Sequence, residues 1–428
     1  MASSPDVGQT TSVVPPGRIR MILVLGALVA LGPLTIDMYL PALPRIADEL
    51  SVSSSVSQLT LTGTLAGLAL GQLIVGPLSD SLGRRRPLMV GIVLHMVASV
   101  LCVLAPDIVT LGVARGLQGM GAAAASVVAI AVVGDLFSGT VAATVMSRLM
   151  LVLGVAPVLA PSLGAAVLLH GSWHWVFVVL VVLAGGLLAM AALALPETLP
   201  VAHRRPLAVS GIIGTYIELL RDSRFVILVL VAALGMSGLF AYISAAPFVL
   251  QGHYGLDQQA FALVFAAGAI ALIGATQFNV VLLRRFSPQA ITVAALSWSA
   301  LAGAVFVSVT VAQVGGLSAF VAPVLAILAG MGLVLPNAPA VALSRHPDAA
   351  GTAAALLGAA QFGLGAAVAP AIGALGNGAL ALSWVMTAGM VIALAALLLV
   401  GRRNGEDDPD EYSGDSFDAT PEAVAEPA

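Results

Sequence analysis

Apolar stretches of about 20 residues follow one another along almost the whole chain, and only short segments with proline, glycine or charge separate them. A helix that crosses the roughly 30 Å hydrocarbon core of a bilayer needs about 20 such residues. Of the 428 residues, 59% are apolar and 9% are charged, whereas a soluble domain has about 25% charged residues. We therefore expect a helical membrane protein.

The same composition excludes several other classes of protein. Disorder of the main part would need low hydrophobicity and high charge. Nucleic-acid binding would need basic patches, but the net charge is -4 and the longest basic run is Arg84–Arg86. A transmembrane β-barrel would alternate apolar and polar residues in short strands, whereas these runs are continuous. The one cysteine, Cys102, lies in an apolar run and allows no disulfide within the chain.

Twelve transmembrane helices are predicted from the apolar runs. They cover residues 19–43, 56–79, 87–105, 108–134, 142–169, 173–195, 224–250, 258–283, 288–311, 315–341, 350–376 and 379–400. The longest internal polar segment, 196–223, lies between six spans and six. We expect an N-terminal tail at 1–18, six-helix bundles at 19–195 and 224–400, a cytoplasmic connector at 196–223 with a short helix near 211–220, and an acidic disordered tail at 401–428.

The arginines are concentrated on one side of the predicted helices. Cytoplasmic loops are enriched in Arg and Lys, and an even number of spans places both termini on one side. If that side is the cytoplasm, its segments contain Arg18, Arg20, Arg84, Arg85, Arg86, Arg204, Arg205, Arg221, Arg224, Arg284, Arg285, Arg345, Arg402 and Arg403. The opposite loops contain only Arg45. We therefore expect a multi-pass cell-membrane protein with both termini in the cytoplasm.

Three short patterns occur in both halves in the same order. They are Leu31-Gly32, Tyr39, Ala42 and Pro44 with Leu234-Gly235, Tyr242, Ala245 and Pro247; Arg84-Arg85 with Arg284-Arg285; and Ala160-Pro161-x-x-Gly164 with Ala369-Pro370-x-x-Gly373. Their offsets are nearly equal. Two parallel six-span repeats are typical of secondary transporters, whose substrate site lies between the halves.

Four motifs carry a family resemblance. They are Asp37-Met38-Tyr39-Leu40-Pro41, Gly76-x-x-x-Asp80-x-x-Gly83-Arg84-Arg85-Arg86, Arg115-x-x-Gln118-Gly119, and Gly154-x-x-Pro157-x-x-x-Pro161-x-x-Gly164. Together they resemble the major facilitator superfamily over about residues 19–400. Within it they resemble most closely the twelve-span drug:proton antiporters of the Bcr/CflA group, which confer bicyclomycin and chloramphenicol resistance.

The resemblance implies a fold, a function and roles for two of the motifs. The fold is two six-helix bundles around a central cavity, and the function is proton-coupled export of small lipophilic drugs. The loop from Gly76 to Arg86 is implied to act as a conformational latch, with Asp80 facing the start of the eleventh span. The motif with Gly154, Pro157, Pro161 and Gly164 is implied to lie where the halves meet.

Two alternatives stay open. The chain could be a proton symporter or facilitator that imports a metabolite, or a membrane receptor or enzyme that transports nothing. Phosphate-binding loops, metal-ligand spacings and a Gly-x-Ser-x-Gly elbow are not found in the sequence. We therefore expect no enzyme, no ATP-driven transport, no cofactor and no metal. The expected partners are a small molecule, protons and lipid, with the chain acting as a monomer.

The residues expected to couple transport to protons are Asp37 and Arg115. A carboxylate within a span is costly and marks a functional site by default. Counted along their helices, Asp37 and Arg115 lie about 10 Å from the same membrane surface, so we expect them to reach each other. Separating the pair, or drying it, would change the proton affinity of Asp37. A static ion pair between the two spans is the alternative.

The second half offers no counterpart to that carboxylate. Phe240 occupies the position equivalent to Asp37, and ionisable side chains other than tyrosine fall in loops or at the edges of spans. A cavity wall that lacks charged side chains suits lipophilic substrates and does not suit phosphates or dicarboxylates. The residues expected to contact substrate are Tyr39, Gln118, Tyr242, Gln277, Asn279, Asn337 and Gln361. The amides among them could instead join helices to one another.

Overall fold

The computed structural model describes residues 16–407 apart from 138, 205–208, 347–348 and 377, and every regular element in this part of the chain is a helix. The α-helices are α1 (Pro16–Asp37), α2 (Leu43–Glu49), α3 (Ser54–Leu82), α4 (Arg85–Val103), α5 (Ile108–Leu136), α6 (Gly139–Leu168), α7 (His174–Ala194), α8 (Val209–Arg221), α9 (Ser223–Pro247), α10 (Gln258–Leu282), α11 (Pro288–Ala312), α12 (Gly316–Leu343), α13 (Ala350–Ala374) and α14 (Ala379–Asp407). Twelve stretches are long and apolar enough to cross a membrane. This confirms the predicted all-α fold with twelve spans.

The first span is interrupted, which the sequence analysis did not anticipate. A single helix over 19–43 was expected, but α1 ends at Asp37, and a 3₁₀ turn over Leu40–Ala42 leads into α2. Proline has no backbone N–H and clashes with the carbonyl four residues earlier. Pro41 is four residues after Asp37, so the Asp37 carbonyl loses its helical hydrogen-bond partner, which favours the end of α1 at this point. The candidate span extends through α2 to Glu49.

The two halves repeat the same packing scheme. In the first half α1 packs on α5, α6 and α7, while α4 packs on α5 and α7, and α3 on α5. In the second half the corresponding pairs are α9 with α12, α13 and α14, then α11 with α12 and α14, and α10 with α12. Between the halves α3 packs on α13 and α6 packs on α10. These two pairs also correspond to each other under the repeat.

Glycines bring the helices of a pair into close contact. A Cβ atom on Gly67 of α3 would overlap the Gly116 carbonyl of α5, and one on Gly119 of α5 would overlap the Thr64 carbonyl of α3. Small residues at helix contacts let backbones approach and so gain van der Waals packing, which lipid tails cannot replace. The α3–α5 contact therefore depends on Gly67 and Gly119.

The helix bundle has two ends, which we name after a residue at each. The Arg84 end is where α3 ends and α4 begins, and the Pro41 end is where α1 ends and α3 begins. The predicted short helix of the connector is present as α8. Residues 1–15 of the expected N-terminal tail, residues 408–428 of the expected acidic tail, and Arg205 lie outside the described residues.

Candidate functional site

A buried arginine occupies the interior of the first half. Arg115 of α5 is fully buried, and its Nη1 donates to the Thr35 carbonyl at 3.0 Å and to Gln118 Oε1. Its guanidinium carbon lies 4.4 Å from the centre of the Tyr39 ring and 5.7 Å from that of Phe177. Its Nε and Nη2 have no hydrogen-bond partner in the described structure. Two acceptors and two aromatic faces therefore hold the cation, and two of its nitrogens are unused.

A chain of hydrogen bonds supports that arginine. Gln118 Nε2 donates to Ser99 Oγ at 2.7 Å, and Ser99 Oγ donates to the His95 carbonyl at 2.7 Å. Thr35 Oγ1 donates to the Leu31 carbonyl and lies 2.8 Å from His95 Nε2. Because the Thr35 hydroxyl has only one proton, it must accept a hydrogen bond from His95 Nε2–H. His95 therefore joins α4 to α1 and fixes the partners of Arg115.

Asp37 is close in sequence to the residues that contact Arg115, and its side chain is buried. It forms no ion pair with Arg115. Its side chain is 3% exposed, and Oδ1 has no hydrogen-bond partner among the described residues. Thr35 and Tyr39, which contact Arg115, are four positions apart and so share one side of the chain. Asp37 lies between them in sequence, but the structure shows no hydrogen bond or ion pair from its carboxyl to Arg115. The expected Asp37–Arg115 pair is thus absent from this conformation.

Two residues expected to contact substrate lie inside the first half instead. Tyr39 is fully buried, and its hydroxyl lies 2.7 Å from Thr60 Oγ1. Gln118 is also fully buried, between Arg115 and Ser99. Both side chains are occupied by partners within their own half. In this structure both side chains contact Arg115, and neither is exposed to a cavity.

The residues expected to contact substrate in the second half differ from one another in their surroundings. Asn337 Nδ2 donates to Asn279 Oδ1 at 2.7 Å, so these buried amides join α12 to α10. Tyr242 is buried and its ring stacks on a phenylalanine of α10. Gln277 is exposed and Gln361 is partly buried. The structure therefore brings Asn279 and Asn337 together, and it shows no hydrogen bond from the amides of Gln277 and Gln361 to a described residue.

The Arg84 end carries an ionic network within the first half. Arg84 forms two hydrogen bonds with Asp135, from Nε at 2.8 Å and from Nη2 at 3.2 Å, and it also contacts Asp80 and Ser79. Burial acts to lower the pKa of Arg84, but the Asp135 and Asp80 carboxylates outweigh burial and raise the pKa above its usual value. Asp80 was expected to face the start of the eleventh span, but it bonds to no described residue of α13. Its partner is Arg84.

Glu197 completes this network and was not foreseen from the sequence. Its carboxylate accepts hydrogen bonds from the backbone N–H of Arg84 at 2.8 Å and of Arg85 at 3.3 Å. Gly83 has a φ of +89°, and a Cβ atom there would overlap the Glu197 carboxylate. Glycine is therefore favoured at 83 by its backbone conformation, and a larger residue would also displace the end of the Glu197 side chain. No such requirement exists at Gly76, where a Cβ atom would meet open space.

Side-chain hydrogen bonds between described residues join the two halves at the Pro41 end. They are Ser55 Oγ to the Gly373 carbonyl at 3.4 Å, Gln58 Nε2 to the Ser244 carbonyl at 3.0 Å, Gln251 Nε2 to the Pro41 carbonyl at 3.4 Å, and Gln259 Nε2 to the Ala165 carbonyl at 3.4 Å. Each acceptor is a backbone carbonyl. The two halves are thus joined by polar contacts at this end.

The proline and glycine motif lies on α6, and its two glycines face different halves of the molecule. Pro157 and Pro161 are inside this helix. A Cβ atom on Gly154 would lie 3.3 Å from the Ile273 side chain of α10, whereas one on Gly164 would overlap the backbone just after α1. Gly154 therefore lies at the contact between the halves, as the family resemblance implies, and Gly164 lies at a contact within the first half.

Comparison with known proteins places this architecture in a family. The family model described as the Major Facilitator Superfamily matches residues 23–370. The Uncharacterized MFS-type transporter YdgK of Bacillus subtilis (strain 168) is 38% identical over 401 residues, or 92% of this chain and 98% of that protein. The Bicyclomycin resistance protein homolog of Haemophilus influenzae is 31% identical over 392 residues, or 90% of this chain and 96% of that protein.

A solved structure agrees with the fold. The crystal structure of a D-xylose-proton symporter superposes with a TM-score of 0.68 at 18% identity, and the match covers 89% of this chain and 96% of that one. At this identity the likeness concerns the fold alone. The repeated packing scheme, the four motifs and the relatives agree, and the chain belongs to the Major Facilitator Superfamily of transporters.

Proposed function

We propose that this transporter exports small lipophilic drugs in exchange for protons, with Asp37 as the proton carrier. The observation that carries the proposal is the Asp37 carboxyl, which is buried within a span and has an oxygen without a hydrogen-bond partner. Such groups in a membrane are rare and mark proton or ion pathways. The resemblance to drug:proton antiporters and a relative named for bicyclomycin resistance support the drug class.

The coupling step follows from how a buried carboxyl can be accommodated. An ionised carboxylate in an apolar interior is strongly unfavourable unless a proton or a nearby cation neutralises it. Arg115 holds two unused nitrogens and contacts Thr35 near the end of α1 and Tyr39 just beyond that end. In the proposed cycle Asp37 alternates between a protonated form and a form that Arg115 or a bound drug stabilises.

The distribution of contacts between the halves supports alternating access. At the Pro41 end the halves share hydrogen bonds, whereas at the Arg84 end each half has its own ionic cluster, Asp80–Arg84–Asp135 in one and Asp222–Arg345–His346 in the other. We assign the Arg84 end and both termini to the cytoplasm, as the arginine distribution indicates. Residues 19–195 and 224–400 then act as two rocking bodies joined by 196–223.

The second half supports lipophilic substrates. Its interior pair Asn279–Asn337 is satisfied internally, and Phe240 replaces the carboxylate of the first half. Tyr242, Gln277 and Gln361 remain as polar contacts in an apolar wall. A substrate with a phosphate or two carboxylates would find no arginine or lysine there to pair with.

The test is a susceptibility panel in a host that lacks its own efflux pumps. The host would express wild type, Asp37→Asn or Asp48→Asn, and the panel would include chloramphenicol and bicyclomycin. Asp48 is an exposed carboxylate on α2, so its variant controls for loss of charge. We expect resistance from wild type and Asp48→Asn but not from Asp37→Asn at equal expression. An uncoupler should abolish drug efflux, and drug accumulation driven inward by protons would instead indicate a symporter.

A further inference from the structure

A cationic cavity of about 600 Å³ lies at the Arg84 end of the first half, where α4 begins and the chain continues beyond α7. It is lined by Arg85, Arg86, Met89, Val90, Glu197 and Arg204. Its volume is typical of a small-molecule site. We propose that this cavity binds the phosphate headgroup of an anionic glycerophospholipid from the adjoining leaflet. The proposal depends on the membrane location of the chain and is independent of the proposed drug export.

The three arginines have hydrogen-bond donors to spare. Arg86 is exposed and makes no hydrogen bond or ion pair with any residue that the structure describes. Arg85 uses Nη2 to reach the Ala192 carbonyl at 2.6 Å, and Arg204 uses Nε to reach the Leu199 carbonyl at 3.4 Å. A guanidinium has five N–H donors. Most donors of this cluster therefore remain available to phosphate oxygens, which arginine binds with paired hydrogen bonds.

Glu197 does not cancel the positive charge of the cavity. Its carboxylate is bound by the backbone N–H groups of Arg84, Arg85 and Leu199, and it lies 3.8 Å from Arg204 Nη2. Partial burial acts to raise the pKa of Glu197, but these N–H groups and Arg204 outweigh burial and hold the pKa below its usual range. One ionised carboxylate faces three guanidiniums, so the cavity keeps a net positive charge that favours an anion.

The face of α4 above the cavity indicates a lipid rather than a soluble anion. Val90, Val93 and Val97 are 68%, 40% and 49% exposed. They follow Arg86 at intervals of four, three and four residues, so all four side chains lie on one face of the helix. In a spanning helix such a face contacts acyl chains. A phospholipid can therefore place its phosphate at Arg86 and one acyl chain along the valines, and basic residues near anionic leaflets favour this arrangement.

The experiment is native mass spectrometry of the purified full-length protein in detergent. Phosphatidylglycerol and phosphatidylcholine with the same acyl chains would be titrated, and glycerol 3-phosphate would be added as a competitor. We expect phosphatidylglycerol to bind more tightly than phosphatidylcholine. The double variant Arg86→Gln/Arg204→Gln should weaken phosphatidylglycerol binding by about thirtyfold, since each arginine near an anionic surface contributes about a factor of five to six. Arg284→Gln/Arg285→Gln, at the equivalent loop of the second half, is the matched control and should bind as wild type does.

Three results would overturn the proposal. Equal affinity for the two lipids would exclude recognition of the anion. Displacement of phosphatidylglycerol by millimolar glycerol 3-phosphate would identify a site for soluble phosphates. Unchanged binding in the double variant would exclude the arginines. Because Arg86 makes no hydrogen bond or ion pair with a described residue, Arg86→Gln alone should fold as wild type does, and it should weaken binding about fivefold. Wild-type affinity in this single variant also contradicts the proposal.

Discussion

The two halves share a packing scheme but differ in what that scheme encloses. The first half surrounds a buried arginine with Thr35, Tyr39 and Gln118. In the second half the tyrosine equivalent to Tyr39 is Tyr242, and it stacks on an aromatic ring with centroids 5.2 Å apart. The repeat therefore conserves helix contacts, which depend on small and apolar residues, without conserving the chemistry between the helices.

The asymmetry extends to the ionic clusters at the Arg84 end. Arg84 and Asp135 have side chains that are 9% and 14% exposed, whereas those of Arg345 and Asp222 are 35% and 21% exposed. Buried ionic groups are costly when a partner is lost, while exposed pairs contribute little. In the first half, loss of one ionic partner should therefore cost more than in the second half. We interpret the second half as the less charged wall against which the first half moves.

Replacement of Arg115 should have the largest effect on this comparison. Arg115→Ala removes two hydrogen bonds of a charged group, worth about 3 kcal/mol or more in total, and we expect proton-coupled transport to fall at least about a hundredfold. Arg115→Lys keeps the charge and should restore part of the activity. Drug-dependent proton movement in proteoliposomes is the measurement. Full activity of Arg115→Ala would show that the buried cation has no part in coupling.

The equivalent tyrosines provide a direct comparison between the halves. A desolvated cation–π contact contributes about 2 kcal/mol, so Tyr39→Leu should reduce coupled transport about thirtyfold. Tyr242→Leu loses ring stacking of about 1 kcal/mol, and should alter drug affinity or thermal stability with coupling retained. Proton-to-drug stoichiometry in proteoliposomes distinguishes the two. Equal loss of coupling in both variants would mean that the halves are functionally symmetric.

The network at the Arg84 end should give an intermediate effect. The Asp80 side chain is 43% exposed, so its pairing with Arg84 contributes at most about 1 kcal/mol. Asp80→Asn should slow turnover about two- to fivefold and leave drug affinity nearly unchanged. Asp135→Asn removes the less exposed partner and should slow turnover further. If Asp80→Asn changes the affinity for the drug but not the turnover rate, the loop from Gly76 to Arg86 does not control the conformational change.

The ionic cluster of the second half should affect stability rather than transport. Asp222 caps α9 through the Arg224 and Phe225 N–H groups. Partial burial acts to raise its pKa, but the Phe225 N–H, Arg345 and His346 outweigh burial and hold the pKa below its usual value. The stabilisation is thus complete above the usual carboxyl pKa of about 4 and is lost as pH falls through the folded pKa. Asn caps a helix as well as Asp does, so Asp222→Asn loses mainly its charge toward Arg345 and His346 and should lower stability by about 0.5 kcal/mol at pH 7.

Thermal unfolding in detergent at a series of pH values measures that difference. Wild type and Asp222→Asn should converge as the pH falls below about 4. A stability gap that stays constant down to pH 3 would mean that the charge of Asp222 does not stabilise the protein. Transport by Asp222→Asn should remain close to wild type at neutral pH.

The fold was largely predictable because a bilayer restricts length and polarity. Twelve apolar runs predicted twelve spans, and the boundaries differ mainly by a few residues. The exception is the end of α1 at Asp37, where the effect of Pro41 on the preceding carbonyl was overlooked. Proline removes the hydrogen-bond partner of the carbonyl four residues earlier, which weakens a helix there, although α6 continues through Pro157 and Pro161.

The site was less predictable because membrane helices are apolar on every side. Lipid and protein interior are both apolar, so periodicity does not tell which face a polar residue points toward. Tyr39 and Gln118 were therefore expected at the substrate and lie instead beside Arg115. Glu197 and Arg204 were missed for a different reason, since only the folded chain brings the connector against α4.

If Asp37 carries the exchanged proton, as we propose, binding of a drug should release a proton from the protein in solution. Purified wild type, Asp37→Asn and Asp48→Asn would each be mixed with a drug from the susceptibility panel in weakly buffered detergent solution containing a pH indicator. We predict that wild type and Asp48→Asn release protons when the drug binds, and that Asp37→Asn binds the drug without release. Proton release by Asp37→Asn equal to that of wild type would contradict the account.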